Sequence, residues 1–344
     1  MKIILLCLLL VAAYADRLSC IDPSGKPVDW FAMLKIPKLK NHPNPMYKKG
    51  YGYMYFDARS EPKWIPDDSK NLRQNTDGAA QTLKPLYANP YKYAHIMYND
   101  HPPTGKISSI FGHAKGVVGL GNSGGFWLIH SVPRYPFPLS QEYEYPEMAA
   151  IYGQSFMCSS FNIDQFNKIG HQLQLMKPGI FDRHTPAWLS SLAPELHAVF
   201  NDVSLDEIAM SNVEPLVTAG GQKLIHLAKN RKWASELYVD LMAPTFHSDV
   251  LSETWMRPAL PSACKPSHKY SAENIEFVKY TEEVAWKYTK DHSKWGITKS
   301  GTVSCIGGIN RMSSQAKRPG GAMCIDFAKL HKAFMSAVDG IQSC

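Results

Sequence analysis

The sequence predicts a mixed α/β protein, on three observations. Of its 344 residues 44% are apolar and 19% charged, a balance that excludes a disordered tail, a collagen or a coiled coil and requires a packed core. Short β-branched or aromatic stretches bounded by Gly, Pro or Asn read as strands over Tyr51–Asp57, Ile107–Leu120, Gly125–Val132 and Gln222–Ala228. Between them apolar residues recur at helical spacing: Ile163, Phe166, Ile169 and Leu173 after Asn162, and Trp233, Leu237 and Leu241 after Lys232. Strands interleaved with helices define the class, and the length accommodates two domains or two fused halves.

At the N-terminus Lys2 precedes the apolar run Ile3–Ala12 and the small-residue pattern Ala13, Tyr14, Ala15. Residues 1–15 therefore read as a signal peptide cut before Asp16. The run is shorter than the ~20 residues of a membrane span, and no later stretch approaches that length. The expected destination is the secretory pathway, ending in a lysosome or outside the cell. Cleavage removes Lys2 and Cys7, leaving 36 basic against 30 acidic side chains, a charge of +6, and six cysteines. In an oxidising compartment Cys20, Cys158, Cys264, Cys305, Cys324 and Cys344 are most simply three disulfides, with fifteen pairings open. None forms CxxC, against a zinc ribbon or a thioredoxin-type site. Thirteen histidines titrate near pH ~6.5, so acid adds positive charge and strengthens attraction for polyanions. The mature chain carries no NxS or NxT sequon.

Loops concentrate at Pro37–Lys49, Pro133–Pro146 and Met256–Lys269. The second separates two halves, which the reading places at residues 16–165 and 166–344. The lysines Lys35, Lys38, Lys40, Lys48 and Lys49 read as a solvated charge run. Gly119, Gly121 and Gly124 spell GxGxxG, but a dinucleotide fingerprint must open a helix, and here Gly125–His130 continues as a strand; a hairpin turn is the better reading. No P-loop, HExxH, EF-hand loop or GxSxG elbow is present. No metal and no cofactor is expected.

What remains is a pair of HxK tripeptides, His113 with Lys115 and His292 with Lys294, one in each half. In a strand, residues two apart share a face, so each tripeptide would present imidazole and ammonium together. Each is followed by a glycine-containing turn and a second strand, the outline of a hairpin. Asn310 falls eighteen residues after His292, and His130 and Ser131 fall seventeen and eighteen after His113, which returns a polar side chain to each tripeptide.

This arrangement resembles the phospholipase D superfamily motif, HxKxxxxD followed by a strand ending in Asn. The acidic position is occupied by Leu120 in the first copy and Lys299 in the second. With HAKG at His113–Gly116, GGFWLIHSVPRYP at Gly124–Pro136, HSKW at His292–Trp295 and GGINR at Gly307–Arg311, the variant is similar to the deoxyribonuclease II family. PVDWF at Pro27–Phe31, YNDHPP at Tyr98–Pro103 and YGQSFMC at Tyr152–Cys158 extend the likeness along the mature chain. The resemblance implies a phospholipase D-like fold of two related α/β/α halves with mixed sheets, a pseudo-dimer whose two hairpins share one centre. It also implies an acid endonuclease that cuts double-stranded DNA without a metal, with little sequence preference, and leaves 3′-phosphate ends. The disulfides it implies are Cys20–Cys158, Cys264–Cys344 and Cys305–Cys324.

The chemistry can be argued from the residues themselves. Metal-free phosphodiester hydrolysis needs a nucleophile, a proton donor for the leaving oxygen, and cations on the nonbridging oxygens. One neutral imidazole attacks phosphorus to form a phosphohistidine; the other, protonated, releases the 5′-oxygen and then activates water. The second copy, with Asn310, is the preferred nucleophile. Lys115 and Lys294 hold the phosphate, and Asn310, His130 or Ser131 add uncharged donors. The neighbouring lysines depress both imidazole pKa values, which places a bell-shaped activity profile toward pH 5. Two other functions fit the same fold: a secreted DNA-binding homologue without activity, and a phospholipase D-type phosphodiesterase.

Overall fold

The computed structural model describes residues 16–203, 209–257 and 260–344; the predicted leader lies outside them. The chain opens with a two-residue hairpin, β1 (Cys20–Ile21) and β2 (Pro27–Val28), and then builds a seven-stranded sheet. Its strands are β3 (Trp30–Lys35), β4 (Tyr53–Asp57), β5 (Ala94–Asn99), β6 (Lys115–Leu120), β7 (Gly124–His130), β8 (Gln154–Asn162) and β9 (Ile180–His184). They lie in the order β4-β3-β8-β7-β6-β5-β9, all antiparallel. Helix α1 (Pro45–Lys49) follows β3, α2 (Gly78–Ala88) follows β4, and α3 (Phe166–Met176) joins β8 to β9.

Helices α4 (Leu189–Leu192) and α5 (Pro194–Phe200) then lead to a second sheet. It comprises β10 (Ser211–Val217), β11 (Lys223–Lys229), β12 (Val250–Glu253), β13 (Ala272–Lys279), β14 (Ala285–Lys287), β15 (Trp295–Thr298), β16 (Val303–Gly307), β17 (Gly320–Asp326) and β18 (Val338–Gln342). Short helices α6 (Ala243–Thr245) and α7 (Ser313–Ala316) lie in its loops, and α8 (Ala328–Met335) joins β17 to β18. The order is β10-β11-β17-β16-β15-β12-β13, with β14 and β18 both on β13. The run β5-β6-β7-β8-α3-β9 thus recurs as β12-β15-β16-β17-α8-β18. The second copy inserts β13 beside β12, in a parallel pairing that makes this sheet mixed. The passage between sheets falls between His184 and Ser211, because α3 leads back to a strand of the first sheet.

Strand alternation explains the layering. Trp30, Ala32 and Leu34 of β3 face a core shared with Trp295, Ile297 and Met323 of the second sheet, while Phe31 and Met33 face a separate core with Leu83 and Leu86 of α2. Both faces are buried, as expected of near-continuous apolar strands. Trp127 of β7 meets His226 of β11 at 4.6 Å between ring centroids, and Trp64 meets Phe334 of α8 at 5.1 Å. The outer face of the second sheet carries Leu237–Met242. Disulfides join Cys20–Cys158, Cys264–Cys344 and Cys305–Cys324, the pairing implied by the resemblance.

Three expectations are corrected. The strand expected at Ile107–Leu120 begins only at Lys115; ahead of it, Gly112 donates to Lys177 O and His113 to Pro319 O, and Arg318 takes the carbonyls of Ser108 and Phe111, so no sheet ladder forms there. The helix expected from Trp233 begins at Leu237 and makes a π-helical turn at Tyr238–Met242, with the Glu236 carboxylate accepting from Tyr238 N and Val239 N at its start. Lys35 is not solvated: it ends β3 with no exposure.

Candidate active site

Neither HxK tripeptide lies wholly in a strand, contrary to the shared-face expectation. Lys115 is the first residue of β6, and Lys294 immediately precedes β15. Each histidine sits in the approach to its strand, where its backbone N–H is taken by the opposite half. His113 N donates to Pro319 O at 2.8 Å, and His292 N donates to Gly153 O at 2.8 Å. Further bonds cross in the same way: His113 Nδ1 donates to Gly308 O, and Lys294 N donates to Ser155 Oγ at 3.2 Å. The two tripeptides are therefore gathered at the junction of the sheets.

The imidazoles are held differently. His292 stacks against Tyr152 of the first half, at 4.0 Å, and Trp255, at 3.6 Å, and these two rings also stack on each other at 5.3 Å; its Nε2 is buried with no partner among the described residues. His113 is fixed through Nδ1, which leaves Nε2 with the lone pair in the neutral ring. Burial, then Lys115 and Lys294, push the His113 pKa down to about 3. Burial, then Lys294, Lys115 and His113, push that of His292 down to about 2. Each ring thus feels the ammonium of the other half as well as its own.

The lysines also differ. Lys115 forms a buried ion pair with Asp100, which in turn accepts from Arg318 at 3.0 Å. Against the burial that raises it, Lys115, His113 and Arg318 hold the Asp100 carboxyl well below the usual range. Lys294 donates to His292 O, and burial followed by Lys115 lowers its pKa to about 7. Behind it lie Glu253 and Asp291, whose carboxyls burial raises, Glu253 further by Asp291. Ser293 Oγ bonds Glu253, while Ser293 N and Trp286 Nε1 bond Asp291.

His130 ends β7 beside Lys115 in the hairpin register, where burial and Lys115 hold its pKa well below the ordinary value. Gly307, which donates to Lys294 O, occupies the matching place in the second hairpin. Ser131 donates to Gln154 Oε1 and accepts from Ser155 N, so it anchors β8. Asn310 lies beyond β16; its N–H donates to Gln315 Oε1, and its side-chain oxygen is buried with no partner among the described residues. Asp100 and Tyr152 fall within YNDHPP and YGQSFMC, so a signal for them was present; Trp255 and Arg318 carry none.

The repeated strand order of the two sheets fits a phospholipase D-like fold. The description of deoxyribonuclease II matches residues 19–344. The chain is 37% identical to plancitoxin-1 of Acanthaster planci, covering 96% of this chain and 93% of that one. It is 34% identical to deoxyribonuclease-2-alpha of Rattus norvegicus (96% and 95%) and 33% identical to deoxyribonuclease-2-beta of Homo sapiens (96% and 92%). The chain belongs to the deoxyribonuclease II family and has a deoxyribonuclease function, with DNA as the substrate. Among the described residues no helix is long and apolar enough to cross a membrane, and the disulfides fit a secreted or lysosomal protein.

Proposed function

We propose that the protein is an acid endonuclease that hydrolyses double-stranded DNA without a metal, through a phosphohistidine, and leaves 3′-phosphate ends. The observation that carries this reading is the crossing of the two HxK approaches, which brings two depressed imidazoles and two ammoniums to one junction. A phosphodiester anion placed among these four groups raises the pKa of both imidazoles, because an opposite charge favours their protonated forms. One ring takes up the proton that the departing 5′-oxygen needs; the other, still neutral, attacks phosphorus on the opposite side. The phosphorus–nitrogen bond forms as the phosphorus–5′-oxygen bond breaks. The first ring, now neutral, removes a proton from water, whose oxygen displaces histidine and leaves the phosphate on the 3′-oxygen.

Lys115 and Lys294 balance the charge on the nonbridging oxygens. Asn310 and His130 serve as uncharged donors in this scheme, and Ser131 supports it through β8. Phosphate contacts carry no base identity, in keeping with cutting of any sequence. The work is assigned to an acidic compartment, lysosomal or extracellular, and the division into halves follows the repeated strand order.

The test is plasmid nicking at pH 5 in EDTA. The expected result is nicking by the native protein and a loss of about 10³-fold or more in both His113→Ala and His292→Ala, with secretion intact. Nicking that needs an added divalent ion, or near-native activity of either variant, would overturn the mechanism.

A further inference from the structure

Lys35 and Lys229 lie outside the HxK tripeptides and have no exposure. They occupy matching places in the two halves. Lys35 ends β3 and pairs with Gln154, the first residue of β8; Lys229 ends β11 and pairs with Gly320, the first residue of β17. Each ammonium turns to the loop that enters the neighbouring strand. Lys35 Nζ donates to Ala150 O and, at 2.6 Å, to Tyr152 O. Lys229 Nζ donates to Ala316 O at 2.6 Å and Arg318 O at 2.9 Å. In both halves the acceptors stand four and two residues before the strand begins.

The carbonyl one residue before the strand is the one that crosses over. Gly153 O accepts from His292 N, and Pro319 O accepts from His113 N, each at 2.8 Å. The side chains of the anchored residues cross as well: Tyr152 stacks on His292, and Arg318 binds Asp100, the partner of Lys115. Among the described residues neither lysine has a carboxylate within ion-pairing distance; the hydrogen bonds of both go to neutral carbonyls, and Lys229 Nζ also lies 5.9 Å over the Trp233 ring. For packing only, a methionine of similar length would avoid the desolvation of an ammonium.

We propose that Lys35 and Lys229 are positioning residues of the nuclease centre, each fixing the imidazole supplied by the opposite half: Lys35 fixes His292, and Lys229 fixes His113. This rests on the two-histidine mechanism above. The ammonium immobilises two carbonyls of a loop that has no sheet partner of its own there, and the carbonyl or side chain between and beside them sets the ring. Displacement of a reacting ring by about 1 Å is enough to cost about 10²-fold in rate.

The experiment uses the full-length mature protein with Lys35→Met and Lys229→Met, plasmid cutting at pH 5, and NMR of ring-labelled histidines assigned through His113→Gln and His292→Gln. The expected result is a kcat lowered about 10- to 100-fold with KM within about twofold of native. In Lys35→Met the His292 resonance moves and that of His113 stays; in Lys229→Met the reverse holds. A kcat within twofold of native in both, or movement of both resonances by either substitution, overturns the proposal. If a methionine variant does not fold, Lys35→Arg and Lys229→Arg, which keep donors toward the carbonyls, must show the same crossed pattern with a smaller loss of kcat; uncrossed shifts in them overturn it equally. The two readings fail separately: cutting that does not depend on His113 and His292 refutes the mechanism, whereas uncrossed shifts in an active enzyme refute the clamp.

Discussion

In the proposed reaction His113 and His292 would meet one phosphate from unlike surroundings, the first tied through Nδ1 to Gly308 O and the second stacked against Tyr152 and Trp255. If one attacks and the other donates a proton, a substrate with sulfur in place of the bridging 5′-oxygen separates them, since a thiolate leaves without protonation. One of His113→Ala and His292→Ala, and not both, should regain cutting on this substrate. Both free-enzyme imidazoles are depressed, and the bound anion raises them. The alkaline limb of kcat should therefore lie at higher pH than that of kcat/KM, measurable from initial rates between about pH 2 and 7. Asp100 joins Lys115 to Arg318 inside the protein. Asp100→Asn leaves two cations uncompensated and should cost about 3 kcal/mol of stability by urea titration, with a fall in kcat at pH 5. The histidines and lysines were legible in the sequence because two HxK copies fall at equal places in two hairpins. Their buried surroundings were not: Trp255 reaches His292 from a loop after β12, and no local pattern foretells which side chains a distant loop will deliver.

At the level of elements, the hairpins β6–β7 and β15–β16 were readable from alternating apolar residues and glycine turns, and α3 from the spacing of Phe166, Ile169 and Leu173. The start of β6 was misread because Ile107, Ile110 and Phe111 have strand composition, while the carbonyls of Ser108 and Phe111 are spent on Arg318 and the N–H groups of Gly112 and His113 on Lys177 and Pro319. Composition records affinity for a sheet and says nothing of competition from a distant donor. The helix α8 shows the converse case. Phe334 packs on Trp64 from the first half and Trp295 from the second, so one side chain glues both sheets. Phe334→Ala should destabilise the fold by about 3–5 kcal/mol, read from the urea midpoint, and should lower the cooperativity between the halves.

For the whole molecule, acid works against the fold through buried histidines. His226 is fully buried, with Nδ1 3.0 Å from Gln172 Oε1, and burial lowers its pKa to about 3. The unfolded chain binds a proton there near pH ~6.5 and the folded chain does not, so stability is lost as pH falls from about 6.5 toward 3. His226→Gln should flatten the decline of Tm between pH 7 and 4 relative to the native protein, as followed by circular dichroism.

The crossing of backbone bonds at the sheet junction bears on biosynthesis. A nascent chain that has closed its first sheet holds His113 without the carbonyl that orients it, because Pro319 has not yet emerged. On the proposed mechanism activity is thereby deferred: the producing cell handles an incompetent polypeptide until the last strands seat themselves.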